Sequence, residues 1–143
     1  MKWLSPTAHG ALDYMLIIFL AMAPTAESAT GIYAAVCYGL AGAYLLVVLA
    51  TTDSMGVVEI IPYRAHGWLE LVSGLIFIAS PFLFRFSAAH PTARVFFMGY
   101  GAALLLLWWL TDWSGKAYSE IRDGVTHNLR GQPLPAHKRH RAS

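Results

Sequence analysis

Residues 30–52 read TGIYAAVCYGLAGAYLLVVLATT, twenty-three residues without one charged side chain. No other feature constrains the fold as much. A lipid hydrocarbon core is crossed by ~20 mostly apolar helical residues, whereas the buried helices of soluble domains are usually shorter. Inside lipid the backbone must satisfy its own polar groups, so a lone segment of this kind has to be helical. Residues 95–111 (VFFMGYGAALLLLWWLT) form a second charge-free run. Residues 6–23 and 66–84 qualify once a single ionisable pair is admitted in each. An all-α fold with four transmembrane helices follows. Composition agrees, because 57% hydrophobic and 13% charged residues depart from the ~45–50% and ~25% of soluble domains.

The first segment has Lys2 and an apolar middle, as a secretion signal would. Asp13 interrupts the region where a signal is unbroken, and Pro24 follows the small residues "AMA", so the segment is read as the first helix. The single Cys37 provides no disulfide framework. Lys2, Arg64, Lys116, Arg122, Arg130, Lys138, Arg139 and Arg141 fall on the N-terminal segment, the middle loop and the tail, whereas Arg85 and Arg94 fall on the other two loops. Basic residues collect on the cytoplasmic side of a membrane protein. Both termini and the middle loop are therefore expected inside, in a bacterial-type inner membrane.

The chain repeats itself. "AHG" with an acid four residues after the His occurs at His9-Gly10 and at His66-Gly67, an offset of 57, and each copy leads into an apolar run. "YLLVVLATTDS" aligns with "LLLLWWLTDWS", which pairs Asp53 with Asp112 at an offset of 59. Two hairpins, residues 5–53 and 62–113, are expected to form a bundle. Each crosses the membrane twice, so the copies enter it the same way round, as parallel repeats about a pseudo-two-fold axis along the membrane normal. Ser5-Pro6 has the form of an N-cap followed by Pro at the first helical position. Pro81 should kink or end the third helix. Ala35, Gly39 and Ala43, and likewise Gly99 and Ala103, have the spacing that lets helices approach closely in lipid. Trp3, Trp68, Trp108, Trp109 and Trp113 fall near the inner ends, as an interfacial belt would.

Residues 1–114 make up the expected membrane domain. In residues 115–129, Tyr118, Ile121, Val125 and Leu129 recur at helical spacing among charges, which predicts an amphipathic helix on the inner surface. Residues 130–143 form a basic, Pro-containing tail expected to be disordered and drawn to anionic lipid. Nucleic acid is not an expected partner, whereas a homo-oligomer or a larger membrane complex is compatible with so apolar a chain.

Residues four apart share a helix face, so His9 pairs with Asp13 and His66 with Glu70. The first and third helices start, and the second and fourth end, on the same side. Topology therefore gathers His9, Asp13, Asp53, His66, Glu70 and Asp112 at one end of the bundle. Three roles compete for this cluster. Two His and four carboxylates have the ligand inventory for a divalent Zn, Mn or Fe ion. Ionisable groups in membrane helices can also relay protons or ions. In the third role the cluster is structural, with His9–Asp53 and His66–Asp112 contacts pinning helices and Gly10 and Gly67 allowing close approach. The structural role leads. It describes a non-enzymatic membrane subunit or scaffold, and a metal-dependent centre for oxidoreductase, hydrolase or ion-handling chemistry is the alternative.

"SGLIFIASPFLF" at residues 73–84 resembles the signature of the SPW-repeat family of small bacterial membrane proteins. The matching residues are Gly74, Ser80 and Pro81, with Phe82 where that family has Trp; the first copy keeps only Pro24. The resemblance implies an integral membrane protein built from duplicated two-helix units, and it implies no activity or site residues.

Overall fold

A computed structural model describes residues 4–26, 31–53, 55–84 and 91–113. The expected surface helix at 115–129 and basic tail at 130–143 lie outside the described residues, as does Trp3. Four helices make up the described fold: α1 (Pro6–Ala26), α2 (Ile32–Leu49), α3 (Tyr63–Leu83) and α4 (Pro91–Leu110). Each is long and apolar enough to cross a membrane. α1 packs on α2 and α3 on α4, with a thinner seam between α1 and α4. Ile17, Leu20, Cys37, Ala41, Val48, Phe77, Phe97, Tyr100 and Leu104 close the shared core. The outer faces carry Met15, Phe19, Ile32, Leu46, Leu75 and Val95, all exposed. An apolar exterior of this extent suits lipid rather than water.

The helix ends are defined by named bonds. Ser5 Oγ accepts the N–H of Ala8 at 3.2 Å, which satisfies one of the unpaired donors at the start of α1. Pro81 lies inside α3, and the helix ends two residues beyond it. Proline removes the N–H that would bond the carbonyl four residues back, here that of Phe77. Ser80 Oγ donates to that carbonyl instead, at 2.9 Å. The Ser-Pro pair thus replaces the bond that its own Pro deletes.

At the far end of α2 the chain folds back on itself. The N–H groups of Val57 and Val58 bond the Leu49 carbonyl, and those of Ile60 and Ile61 bond the Ala50 carbonyl. The orphan carbonyls of the α2 terminus are thereby satisfied. Ile61 pairs with Thr51, and Leu4, which leads into α1, pairs with Thr111 at the end of α4. Ile61 N–H bonds Ala50 and Thr52 N–H bonds Ile61; Leu4 N–H bonds Leu110 and Asp112 N–H bonds Leu4. The two ends match at an offset of 57 for the entering segments and 60 for the leaving ones. Asp112 therefore occupies the place of Thr52, not that of Asp53 as the sequence alignment had it. Backbone bonding sets this register, which a one-residue gap in the leaving segments hides.

The close helix contact also falls elsewhere than expected. Ala35, Gly39 and Ala43 are exposed, and nothing stands within 4 Å of where a side chain would begin at Gly39 or Gly99. α2 turns this small-residue face outward because its apolar side chains meet α1 on another face. The tight crossing is between α3 and α4, where a methyl group on Gly101 would come within 2.6 Å of the Gly74 carbonyl.

Candidate functional site

The last turns of α2 and α4 build the site from the backbone up. Thr51 N–H bonds Val48, three residues back, and Thr111 N–H bonds Trp108 in the same way. That tightening leaves the carbonyls four residues back to the hydroxyls. Thr51 Oγ1 donates to Val47 at 2.7 Å, and Thr111 Oγ1 donates to Leu107 at 2.6 Å. Each hydroxyl has spent its one proton and can now only accept.

A histidine donates to each. His9 Nδ1 lies 2.9 Å from Thr111 Oγ1, and His66 Nδ1 lies 2.9 Å from Thr51 Oγ1. Each bond crosses between hairpins, His9 of the first reaching the second and His66 of the second reaching the first. Because the threonines can only accept, both Nδ1 atoms carry the proton. In the neutral rings both Nε2 atoms are then bare lone pairs. This assignment follows from the hydrogen-bond network, which is how a tautomer is fixed.

Both bare nitrogens point at carboxylates. Asp13 Oδ2 lies 3.3 Å from His9 Nε2 and 3.2 Å from His66 Nε2. Glu70 Oε2 lies 3.7 Å from His9 Nε2. All four side chains are almost wholly buried. His9 Nε2, His66 Nε2, Asp13 Oδ2 and both oxygens of Glu70 make no hydrogen bond among the described residues. The remaining Asp13 oxygen, Oδ1, accepts from Tyr44 at 2.8 Å. Trp113 and Tyr63 both pack edge-on against His9, at 4.8 and 6.0 Å. Tyr44 stacks over His66 at 6.2 Å. These rings wall the cluster off.

The glycines of the two "AHG" motifs make room for this wall. A methyl group on Gly67 would lie 2.7 Å from the Trp113 ring, and one on Gly10 would lie 2.9 Å from Met55 Cγ. Close approach occurs here as expected, but from the side chains that follow α2 and α4 rather than from a helix backbone. Trp113 is therefore part of the site enclosure, whereas Trp68 and Trp109 are exposed.

Of the six ionisable groups gathered by topology, His9, Asp13, His66 and Glu70 converge. Asp53 is buried beside them, but its Oδ1 accepts the N–H groups of Met55 and Gly56 at 2.9 and 2.6 Å. It caps the turn that leaves α2. Asp112 is exposed at the surface. The expected His9–Asp53 and His66–Asp112 pins are replaced by threonine contacts, because Thr51 and Thr111 sit in the last turns while the aspartates lie past them. Sequence reasoning missed Thr51, Thr111 and Tyr44. The recurrence of Thr before both aspartates was the available signal.

Imidazole and carboxylate donors of this kind suit Zn, Mn or Fe. Two ligands about 2.0–2.1 Å from a tetrahedral ion stand ~3.3 Å apart. The two Asp13–His separations match that edge. One ligand atom each from His9, His66 and Glu70 lies within 4.8 Å of the others. An ion-binding histidine typically donates its other ring N–H to a fixed acceptor, as both do here. The fold and site define a helical protein with membrane-length helices and a buried His/carboxylate cluster. No family model matches the chain, and neither a curated protein nor a solved structure matches it.

Proposed function

We propose that this is an integral membrane protein that holds a divalent metal ion between His9, His66 and Glu70, with Asp13 beside the two histidines. The observation that carries the reading is the convergence of two bare Nε2 atoms on carboxylate oxygens that have no donor. Lone pairs directed at one another in a buried space call for a cation between them. A proton on one histidine would satisfy one Nε2 and Asp13 Oδ2. It would leave the other Nε2 and both Glu70 oxygens without a partner, and unpaired buried groups of this kind are costly. A divalent ion between His9, His66 and Glu70 serves both Nε2 atoms and a Glu70 oxygen, and with Asp13 beside it balances the two carboxylate charges. For that reason the metal reading is preferred to a cluster that only pins helices, although the Nδ1–threonine bonds contribute to that pinning as well.

The inferred setting is a bacterial-type inner membrane, with the cluster at the cytoplasmic end and the two hairpins derived from a duplicated unit. The excess of Lys and Arg on the loops at that end supports the orientation. The matching hydrogen bonds at offsets of 57 and 60 support the duplication. Elemental analysis of protein purified in detergent and reconstituted with Zn, Mn or Fe(II) tests the metal centre. About one ion per chain is expected for wild type and for Asp112→Asn, and none for His9→Ala/His66→Ala. Wild type without metal after reconstitution would overturn the reading.

A further inference from the structure

Helix contacts place α1 between α2 and α4, so α1 and α3 stand on the diagonal of the bundle. Among the described residues these two helices share no packed seam, and neither do α2 and α3. Where an α2–α3 seam would run, a cavity of about 160 Å³ lies between Leu40, Ala43 and Val47 of α2 and Leu69 and Ser73 of α3. Helices in lipid gain no hydrophobic drive to associate and depend on packing and polar contacts. This side of the bundle lacks the packing.

The polar contacts cross the diagonal. His9 and Asp13 come from α1, His66 and Glu70 from α3. His66 Nε2 reaches Asp13 Oδ2 at 3.2 Å, and His9 Nε2 reaches Glu70 Oε2 at 3.7 Å. Every one of these atoms is an acceptor, since the ring protons are spent on Thr111 and Thr51. Lone pairs of α1 therefore face lone pairs of α3. They repel unless a cation stands between them, and with a cation they bind the two helices to one another. At the cluster end the hairpins are also joined by backbone bonds, Leu4 with Leu110 and Asp112 on one side and Thr52 with Ile61 on the other. That end stays fastened in either case. We infer that the ion is a clasp across the α1–α3 diagonal, and that its release lets α2 and α3 part by an amount that grows away from the fastened end.

The inference rests on the metal reading, since the clasp is the ion proposed there. Spin-label distances, measured by pulsed electron resonance on the full chain in lipid nanodiscs, test it in a Cys37→Ala background. Zn is the ion used, because it is diamagnetic. Val36, Ile76 and Val95 are exposed and lie away from the fastened end. Labels at Val36→Cys and Ile76→Cys report between the hairpins, and labels at Ile76→Cys and Val95→Cys report within the second. With Zn the first pair should give one narrow distance. Removing Zn with EDTA should lengthen it by ~3 Å or more, the width of a water molecule, because the freed carboxylates draw water into the seam. The second pair should not change, and added Zn should restore the first. Asp13→Asn/Glu70→Gln replaces both carboxylates by amides, which can donate to the bare Nε2 atoms, and should keep the short distance without Zn. The inference is overturned if protein that takes up one Zn per chain shows the same first distance with and without it. It is equally overturned if both pairs change alike, or if the amide variant opens as far as Zn-free wild type. Those outcomes leave the metal reading standing, whereas wild type that takes up no Zn would sink that reading and the clasp with it.

Discussion

Replacing Thr111 by Val keeps the volume and β-branching of the side chain but removes the acceptor of the His9 Nδ1 proton, 2.9 Å away. Neutral imidazole has one N–H. With the hydroxyl gone, the proton is better placed on Nε2, facing Asp13 Oδ2 at 3.3 Å. Metal binding must then return it to an Nδ1 that has no acceptor in a buried site. A stranded buried donor costs ~1–3 kcal/mol, equivalent to ~5–150-fold in affinity at 1.4 kcal/mol per decade. Loss of an outer hydrogen-bond partner of a metal-binding histidine typically costs ~10–100-fold, so the two estimates agree. Competition with a chromophoric chelator measures the affinity. Nitrogen NMR of labelled histidine, recorded without metal, reads the tautomer directly. Thr111→Val should weaken binding by at least tenfold and shift the His9 proton to Nε2. Thr111→Ser, which keeps the hydroxyl, should stay within a few-fold of wild type, and Thr51→Val should repeat the effect at His66. Unchanged affinity in both valine variants, with histidine signals that show Nε2–H already in wild type, would refute the tautomer argument and the site built on it.

Other substitutions test the scaffold. Gly101→Ala brings a methyl group within 2.6 Å of the Gly74 carbonyl and 2.8 Å of Ile78 Cγ1, so denaturant unfolding in detergent should show a loss of ~1–3 kcal/mol. Gly39→Ala meets nothing within 4 Å and should leave stability unchanged or raise it by up to ~1 kcal/mol, the helix preference of Ala over Gly. Asp53→Ala removes the acceptor of two turn N–H groups and should cost ~1.5–3 kcal/mol with the metal content unchanged, whereas Asp53→Asn keeps an acceptor and most of the stability. Ser80→Ala should cost up to ~1–2 kcal/mol, the range for such bonds in membrane helices. In a Pro81→Ala background the same change should be close to neutral, since the restored N–H of residue 81 takes over the Phe77 carbonyl. A cycle with no coupling between residues 80 and 81 would count against that compensation.

Much of the architecture could be read from the chain because it depends on local quantities. The charge-free run at 30–52 has to be a helix wherever it sits in lipid, and Ser5-Pro6 starts a helix whatever packs on it. Helical spacing and an even number of crossings bring His9, Asp13, His66 and Glu70 to one end without any knowledge of packing. The small-residue spacings at Ala35, Gly39 and Ala43 were equally local, yet they face outward, because spacing does not say which face meets a neighbour.

The chemistry of the site was settled by contacts that no spacing encodes. Thr51 and Thr111 become pure acceptors only because the last turns of α2 and α4 tighten and leave a carbonyl to each hydroxyl. His66 then meets a threonine 15 residues away, and His9 meets one 102 residues away. Asp53 and Asp112 have the right residue type and lie at the right end of the bundle. A bend in the chain of one or two residues turns the first onto its own loop and leaves the second at the surface. By itself the sequence determined the four helices and the end at which the ionisable groups gather, since hydrophobic length and helical period fix both. Tertiary structure alone decided which groups converge and which nitrogen of each histidine is left bare, because a hydrogen bond reports the position of a distant partner to within a few tenths of an ångström.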